Sequence, residues 1–168
     1  SAQWLKTNTA YAGRFSAGAL SALLFETAPF APPTARALFE DRAQIAYTPL
    51  RTRARAGDAV RVDLGWMASR PLEDLSIFVH LIGPDGKLVA QSDGDALNGL
   101  RPAFTWKPGE TIDDPRALLM NAGWAPGVYQ VRAGLYQRAD GRRLLVADGA
   151  DFVLIGTIEL LQPSPRSS

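Results

Sequence analysis

Cysteine is absent from this sequence, histidine occurs once and lysine three times. Without cysteine there is no disulfide, no thiolate metal site and no cysteine nucleophile, although an exported domain can fold without bridges. With His80 alone, neither a Ser-His-Asp relay with a spare base nor a histidine-rich metal centre can be assembled. Long hydrophobic runs are also lacking. The nearest, Phe15 to Phe25, is eleven mostly small residues, short of the roughly 18 needed to cross a bilayer. It does not follow the basic, apolar, small-residue order of a signal peptide either, so the chain as it stands is expected to be soluble, whether whole or cut from a longer membrane protein. Charge of one sign is lacking too: the formal net charge is +1, and acidic residues are interspersed among the arginines, which argues against a nucleic-acid partner. Neither GxSxG, GxxxxGK[ST] nor GxGxxG occurs.

What the chain does have is punctuation. Twelve prolines and fifteen glycines divide it into short apolar runs, a pattern suited to many strands joined by turns. Residues 1–42 read as an irregular or partly helical arm: Ala17 to Phe25 suggests two weakly amphipathic helical turns. Pro29, Pro32 and Pro33 then favour an extended path, and Thr34 can cap a short helix ending at Asp41. From residue 43 the period becomes that of strands. Gln44 to Leu50 is the first candidate, and Arg51 to Arg55 reads as exposed. In Asp58 to Met67, Val60, Val62, Leu64 and Trp66 share one face, opposite Arg61 and Asp63.

Leu75 to Ile82 is apolar on both faces, as in a strand with a sheet on one side and a loop or arm on the other. Asp85-Gly86 then marks a hairpin, since both positions of a two-residue turn require positive φ. That turn sets residue 82 against 89, His80 against Gln91, and Phe78 against Asp93. Gly94 to Asp114 is the longest irregular stretch, of a length that tends to be functional or to cover an edge, followed by a possible strand from Arg116 to Met120. In Val128 to Tyr136 the core face is Tyr129, Val131, Ala133 and Leu135. Asp140-Gly141 closes a second hairpin into Leu144 to Ala147, and Phe152 to Leu161 is the last strand. The expected fold is therefore all-β: an antiparallel β-sandwich, immunoglobulin-like or jelly-roll-like, of seven to nine strands, over residues 43–162, with a disordered tail at 163–168.

Few residues invite chemistry. His80 is either bonded to Gln91 across the hairpin or a ligand contact. Asp93, Asp95, Asp113 and Asp114 either converge as oxygen ligands for calcium or serve as turn and cap residues; their spacing fits no EF-hand, and the turn reading is preferred. No carboxylate pair stands out as a glycosidase would require. Trp66 reads as core, whereas Trp106 and Trp124, in Pro/Gly-rich segments, are candidates for stacking on a sugar ring.

The run Phe78-Val79-His80-Leu81, Asp85-Gly86, Ala90-Gln91 and Asp93 is distinctive. It combines with Pro49-Leu50, Gly57-Asp58 leading to Leu64 and Trp66, Trp106, Pro108-Gly109-Glu110, Asp113, Pro126-Gly127-Val128-Tyr129, Gly134-Leu135-Tyr136 and Arg143-Leu144. From Ile45 to Leu154 this pattern resembles the C-terminal β-sandwich of bacterial membrane glycosyltransferases of the dolichyl-phosphate-mannose–protein mannosyltransferase type. It departs from the pattern where a proline is expected shortly after Asp93 and Ala96-Leu97-Asn98 stand instead. The resemblance implies a non-catalytic accessory domain on the extracytoplasmic face of a bacterial membrane, whose partner is a glycan, an acceptor or the parent membrane protein; the residues themselves give no cofactor or metal to expect. The candidate contact residues are His80, Gln91, Asp93, Trp106 and Asp113. The alternatives are a purely structural or protein-interaction domain and, less favoured for want of a nucleophile–base set, a stand-alone glycosidase or transferase.

Overall fold

The computed structural model describes residues 10–17, 20–26, 30 and 32–163, and of residues 10–26 the backbone pairing alone. Six strands, β1 (Ala10–Ala17), β2 (Leu20–Glu26), β3 (Ala35–Phe39), β4 (Ala43–Tyr47), β6 (Ala59–Ala68) and β9 (Thr111–Leu119), form one sheet in the order β2-β1-β9-β6-β4-β3. The other five, β5 (Leu50–Ala54), β7 (Leu75–Ile82), β8 (Leu88–Gln91), β10 (Gly127–Gln137) and β11 (Val153–Leu160), form a second sheet in the order β5-β11-β10-β7-β8. The two sheets pack as an all-β sandwich. Pairing is antiparallel except at β1–β9 and β5–β11, which run parallel.

The strand total among the described residues is eleven, above the expected seven to nine, because the described part of the N-terminal arm forms strands instead of helix. Ala17 to Phe25 falls largely in the β1–β2 hairpin, whose Tyr11 stands opposite Arg116 of β9. Ala- and Leu-rich segments satisfy helix and strand alike, and here tertiary pairing overrides local preference. Thr34 to Asp41 is corrected likewise. Ala35, Ala37 and Phe39 turn inward while Arg36 and Leu38 turn outward, a period of two rather than 3.6. Phe39 is fully buried and β3 is bonded to β4, so the sandwich includes residues before 43. Glu40 (φ 46°) and Asp41 (φ 54°) make the tight turn, closed by Arg42 N–H donating to the Phe39 carbonyl. Of the tail at 163–168, only Pro163 lies within the described residues.

Gln44 to Leu50, expected as one strand, is two. Thr48-Pro49 interrupts it, and the chain passes from the six-stranded sheet (β4) to the five-stranded sheet (β5) at a proline that has no N–H to give a ladder. The Arg51–Arg55 stretch is thus mostly an edge strand, with Arg51 and Arg53 outward and Ala54 buried. It approaches β11 so closely at Gly156 (φ 155°) that a Cβ there would lie 1.9 Å from the Leu50 carbonyl oxygen, a contact only glycine permits. Leu144 to Ala147 is also not a strand. It belongs to a strap between β10 and β11 that makes single bridges, Arg143 to Tyr136 of one sheet and Val146 to Phe39 of the other.

The alternating patterns hold where the sequence was clearest. Val60, Val62, Leu64 and Trp66 of β6 are buried, and so are Tyr129, Val131, Ala133 and Leu135 of β10. The Tyr129 hydroxyl donates to the Ala125 carbonyl at 2.6 Å, pinning the entry to β10 as tyrosine corners do in immunoglobulin-type sandwiches. Burial, with a smaller contribution from Asp85, holds the phenol above its ordinary value of 10.0.

Candidate functional site

The β7–β8 hairpin sets the register. Gly83 N–H donates to the Lys87 carbonyl and Gly86 N–H to the Gly83 carbonyl, with positive φ at Gly86 but not at Asp85. The turn is therefore longer than the two-residue form expected from Asp85-Gly86, and the register shift that follows puts Ile82 opposite Leu88 instead of residue 89. The irregularity is absorbed before His80, which stands opposite Gln91 as expected. Ile77 bridges Gly94, so the same register carries Phe78 to Asp93.

His80 and Phe78 lie on the outer face of the five-stranded sheet, because their neighbours Ile77, Val79 and Leu81 fill the core. The His80 side chain is 12% exposed, and its Nε2 lies 3.3 Å from Asp93 Oδ1. Its ring centroid is 4.8 Å from that of Phe78. Phe78 is buried despite facing outward. Its ring folds over Gly134, where a Cβ would come within 2.5 Å of Phe78 Cζ. The Arg143 guanidinium closes over it at 4.4 Å, anchored to Asp151 at 3.2 Å. The β10–β11 strap is therefore the cover that the doubly apolar β7 required.

On the other side of His80, Arg132 of β10 stands directly opposite. Its Nε and Nη2 donate to Gln130 Oε1 at 3.2 and 2.8 Å, and its plane lies 4.4 Å over the Phe152 ring. Gln91, His80, Arg132 and Leu154 thus form one row across β8, β7, β10 and β11. Gln91, Asp93 and Leu154 are exposed, and His80, Gln130 and Arg132 are half-buried. Arg132 carried no signal in the sequence beyond sharing a strand face with Gln130; only the pairing of β10 with β7 brings it to His80.

Two expected members do not join this face. Trp106 is 3% exposed, and its indole N–H donates to the Arg101 carbonyl at 2.9 Å. Its ring packs 6.1 Å from Trp66, which meets Phe39 at 6.5 Å. It is a core residue rather than an open platform for a sugar. Asp113 is not in the loop at all: it lies in β9 opposite Gly65, exposed on the outer face of the other sheet. Trp124 is half-buried and stacks on Tyr129 at 5.8 Å.

The long loop is organised by a buried pair, Asp114 with Arg116, rather than by turn or calcium-ligand aspartates. Asp114 and Arg116 face inward on β9, buried beside Leu64 and Val62. Asp114 accepts from Trp66 Nε1 (3.1 Å), Arg116 Nε (3.0 Å) and Leu97 N–H (2.9 Å). Arg116 Nη1 and Nη2 donate to the carbonyls of Ser92, Gly94 and Asp95. A buried charge pair is tolerated when every remaining donor and acceptor is met, and here the loop backbone meets them. The helical turn Ala96–Gly99 passes through Leu97 (φ 53°) and Asn98 (φ 54°), and a 3₁₀ turn follows at Ala103–Thr105. Asp95 pairs with Arg138. The four loop aspartates are thus dispersed: Asp93 on His80, Asp95 on Arg138, Asp114 in the core and Asp113 across the sandwich.

At the end of the sandwich, charges tie the sheets together. Arg142 grips both oxygens of Glu40 at 2.6 and 3.2 Å, and Leu145 N–H adds a third bond. These interactions, that with Arg142 first, hold the Glu40 carboxyl below its ordinary 4.5 against the opposing effect of burial. Arg42 pairs with Glu73 beside them.

No family model matches the chain, and no curated protein matches it. Among solved structures it is similar to the crystal structure of a Niemann-Pick type C2 protein from Japanese carpenter ant. The identity is 8% and the TM-score 0.41, over 65% of this chain and 79% of that one.

Proposed function

We propose that the chain is a non-catalytic recognition module that offers the outer face of its five-stranded sheet to a glycan. Its setting is the one that the sequence resemblance implies, as an accessory to a membrane glycosyltransferase on the extracytoplasmic side of a bacterial membrane. The observation that carries this reading is the alignment of Gln91, His80 and Arg132 across one sheet face, with Asp93 on His80. A sugar presents hydroxyls that both donate and accept, beside apolar C–H faces. This surface has carboxylate and amide acceptors, guanidinium and amide donors, and the exposed apolar side chains of Val128 and Leu154. The non-catalytic part is supported by Asp113 standing on the opposite sheet from Asp93, so that these two candidate carboxylates do not face one another across a cleft.

The test is glycan-array binding by the full chain beside Asp93→Ala and Gln91→Ala. The expected result is binding that weakens about tenfold or more in each variant, the loss that removal of a charge-assisted or buried polar contact brings, with thermal midpoints nearly unchanged. A folded chain that captures no glycan rejects the reading.

Val128, at 54% exposure, and Leu154, at 47%, favour a second reading in which the same face docks a protein. In that case Val128→Glu weakens association with the parent protein, and sugars leave the amide spectrum of the sheet unmoved.

A further inference from the structure

The arginines of this sandwich follow a rule with one departure. Among the described residues that are buried or half-buried, Arg42, Arg61, Arg101, Arg116 and Arg143 each lie within salt-bridge distance of a carboxylate. Arg132 is half-buried too, yet no carboxylate among the described residues comes within 4.0 Å of it. Its counterpart is the neutral oxygen of Gln130, which accepts from both Nε and Nη2. A cation withdrawn from water without a counter-ion is costly unless an anion completes it. The guanidinium is also held in place: Phe152 lies beneath its plane and Gln130 fixes one edge, so Nη1 remains to receive a ligand. A stacked, planar fork of this kind loses little freedom on engaging an oxyanion.

We propose that Arg132 is the anion-receiving subsite of the sheet face, taking a carboxylate or phosphate borne by the ligand, with His80 and Gln91 in the same row contacting the ring that carries it. This deepens the glycan reading and rests on it for the nature of the ligand: the sugar is acidic, its charge supplied either by a uronate or by a phosphate ester. Asp93 stands on the β8 side of β7 with its carboxylate 3.3 Å from His80 Nε2, whereas Arg132 stands on the β10 side, so His80 lies between the carboxylate and the anion.

The experiment is an NMR titration of the full ¹⁵N-labelled chain with glucuronate, glucose 1-phosphate, neutral methyl glucoside and inorganic phosphate, repeated on Arg132→Gln and Arg132→Lys. The expected result is that at least one acidic sugar shifts the amides of His80, Gln91 and Arg132 and binds about tenfold or more tighter than methyl glucoside. The preference should disappear in Arg132→Gln and be partly kept in Arg132→Lys, which retains charge without the fork. The stronger of the two acidic sugars identifies the source of the oxyanion. If methyl glucoside binds as tightly as the acidic sugars, and Arg132→Gln changes neither, the anion subsite is overturned while the glycan reading stands. If no sugar binds but phosphate shifts the Arg132 side-chain signal in a way that Arg132→Gln abolishes, the subsite is kept and the glycan reading is lost. If none of the four shifts this face, both are overturned. Spectral dispersion of each variant guards against misfolding, and loss of fold in Arg132→Gln leaves Arg132→Lys to decide.

Discussion

Arg116 Nε donates to Asp114 Oδ2 at 3.0 Å, with both side chains on the core side of β9, and through this contact a central strand of one sheet holds the loop that leaves the edge of the other. Trp66, Leu97 and three loop carbonyls complete the pair. It follows that the segment after β8 is a built part of the sandwich.

Removing one partner of that pair exposes the other as an unpaired buried charge. Asp114→Asn is expected to lose about 3–5 kcal/mol of unfolding free energy, measured by urea denaturation. The double variant Asp114→Asn/Arg116→Met should lose less than the sum of the two single losses, because the buried charge is then gone. Additive losses would mean that the two residues act independently.

Trp106→Ala should lower stability by about 3–5 kcal/mol, the cost of emptying an aromatic site in a close-packed core. Near-UV circular dichroism should also fall as the Trp66–Trp106 contact is lost. A thermal midpoint unmoved by this change would place Trp106 at the surface, contrary to its 3% exposure.

Gly134→Ala places a methyl group where the Phe78 ring lies. The ring and the Arg143 guanidinium above it must move, at an expected cost of about 1–3 kcal/mol, and the displacement should appear as shifted amide signals at His80 and Asp93. Gly123→Ala, whose added methyl group meets nothing closer than Asn121 Oδ1 at 3.5 Å, should leave those signals unmoved.

Glu40 sets a pH dependence. Its folded carboxyl titrates below the ordinary 4.5, chiefly through Arg142, so its stabilisation is fully present above that value and is lost as the pH falls through the depressed one. The stability of wild type and Glu40→Gln should therefore differ at neutral pH and converge in acid, in urea titrations at a series of pH values. A difference that persists at low pH would mean that the turn with φ 46° at Glu40, rather than its charge, is what the variant disturbs.

Where burial alternated residue by residue, as from Val60 to Trp66 and from Tyr129 to Leu135, the strand and its core face were legible, since one-sided burial in a sheet imposes a period of two. The same logic carried His80 to Gln91 across the hairpin, even though the turn was longer than its Asp-Gly suggested. Ala35 to Phe39 shows the limit. Its alternation covers five residues and includes Leu38, which is exposed, so a capping threonine outweighed it.

The sequence by itself determined the all-β architecture, the core faces of β6 and β10, and the placing of His80, Gln91 and Asp93 together, because these follow from local periodicity and one hairpin. Tertiary structure alone decided the rest. It buried Trp106, carried Asp113 to the opposite sheet, turned Asp114 and Arg116 into the anchor of the loop, and brought Arg132 beside His80. Each of these depends on which strands pair and which sheets face one another, and such long-range contacts leave no periodic trace in the chain.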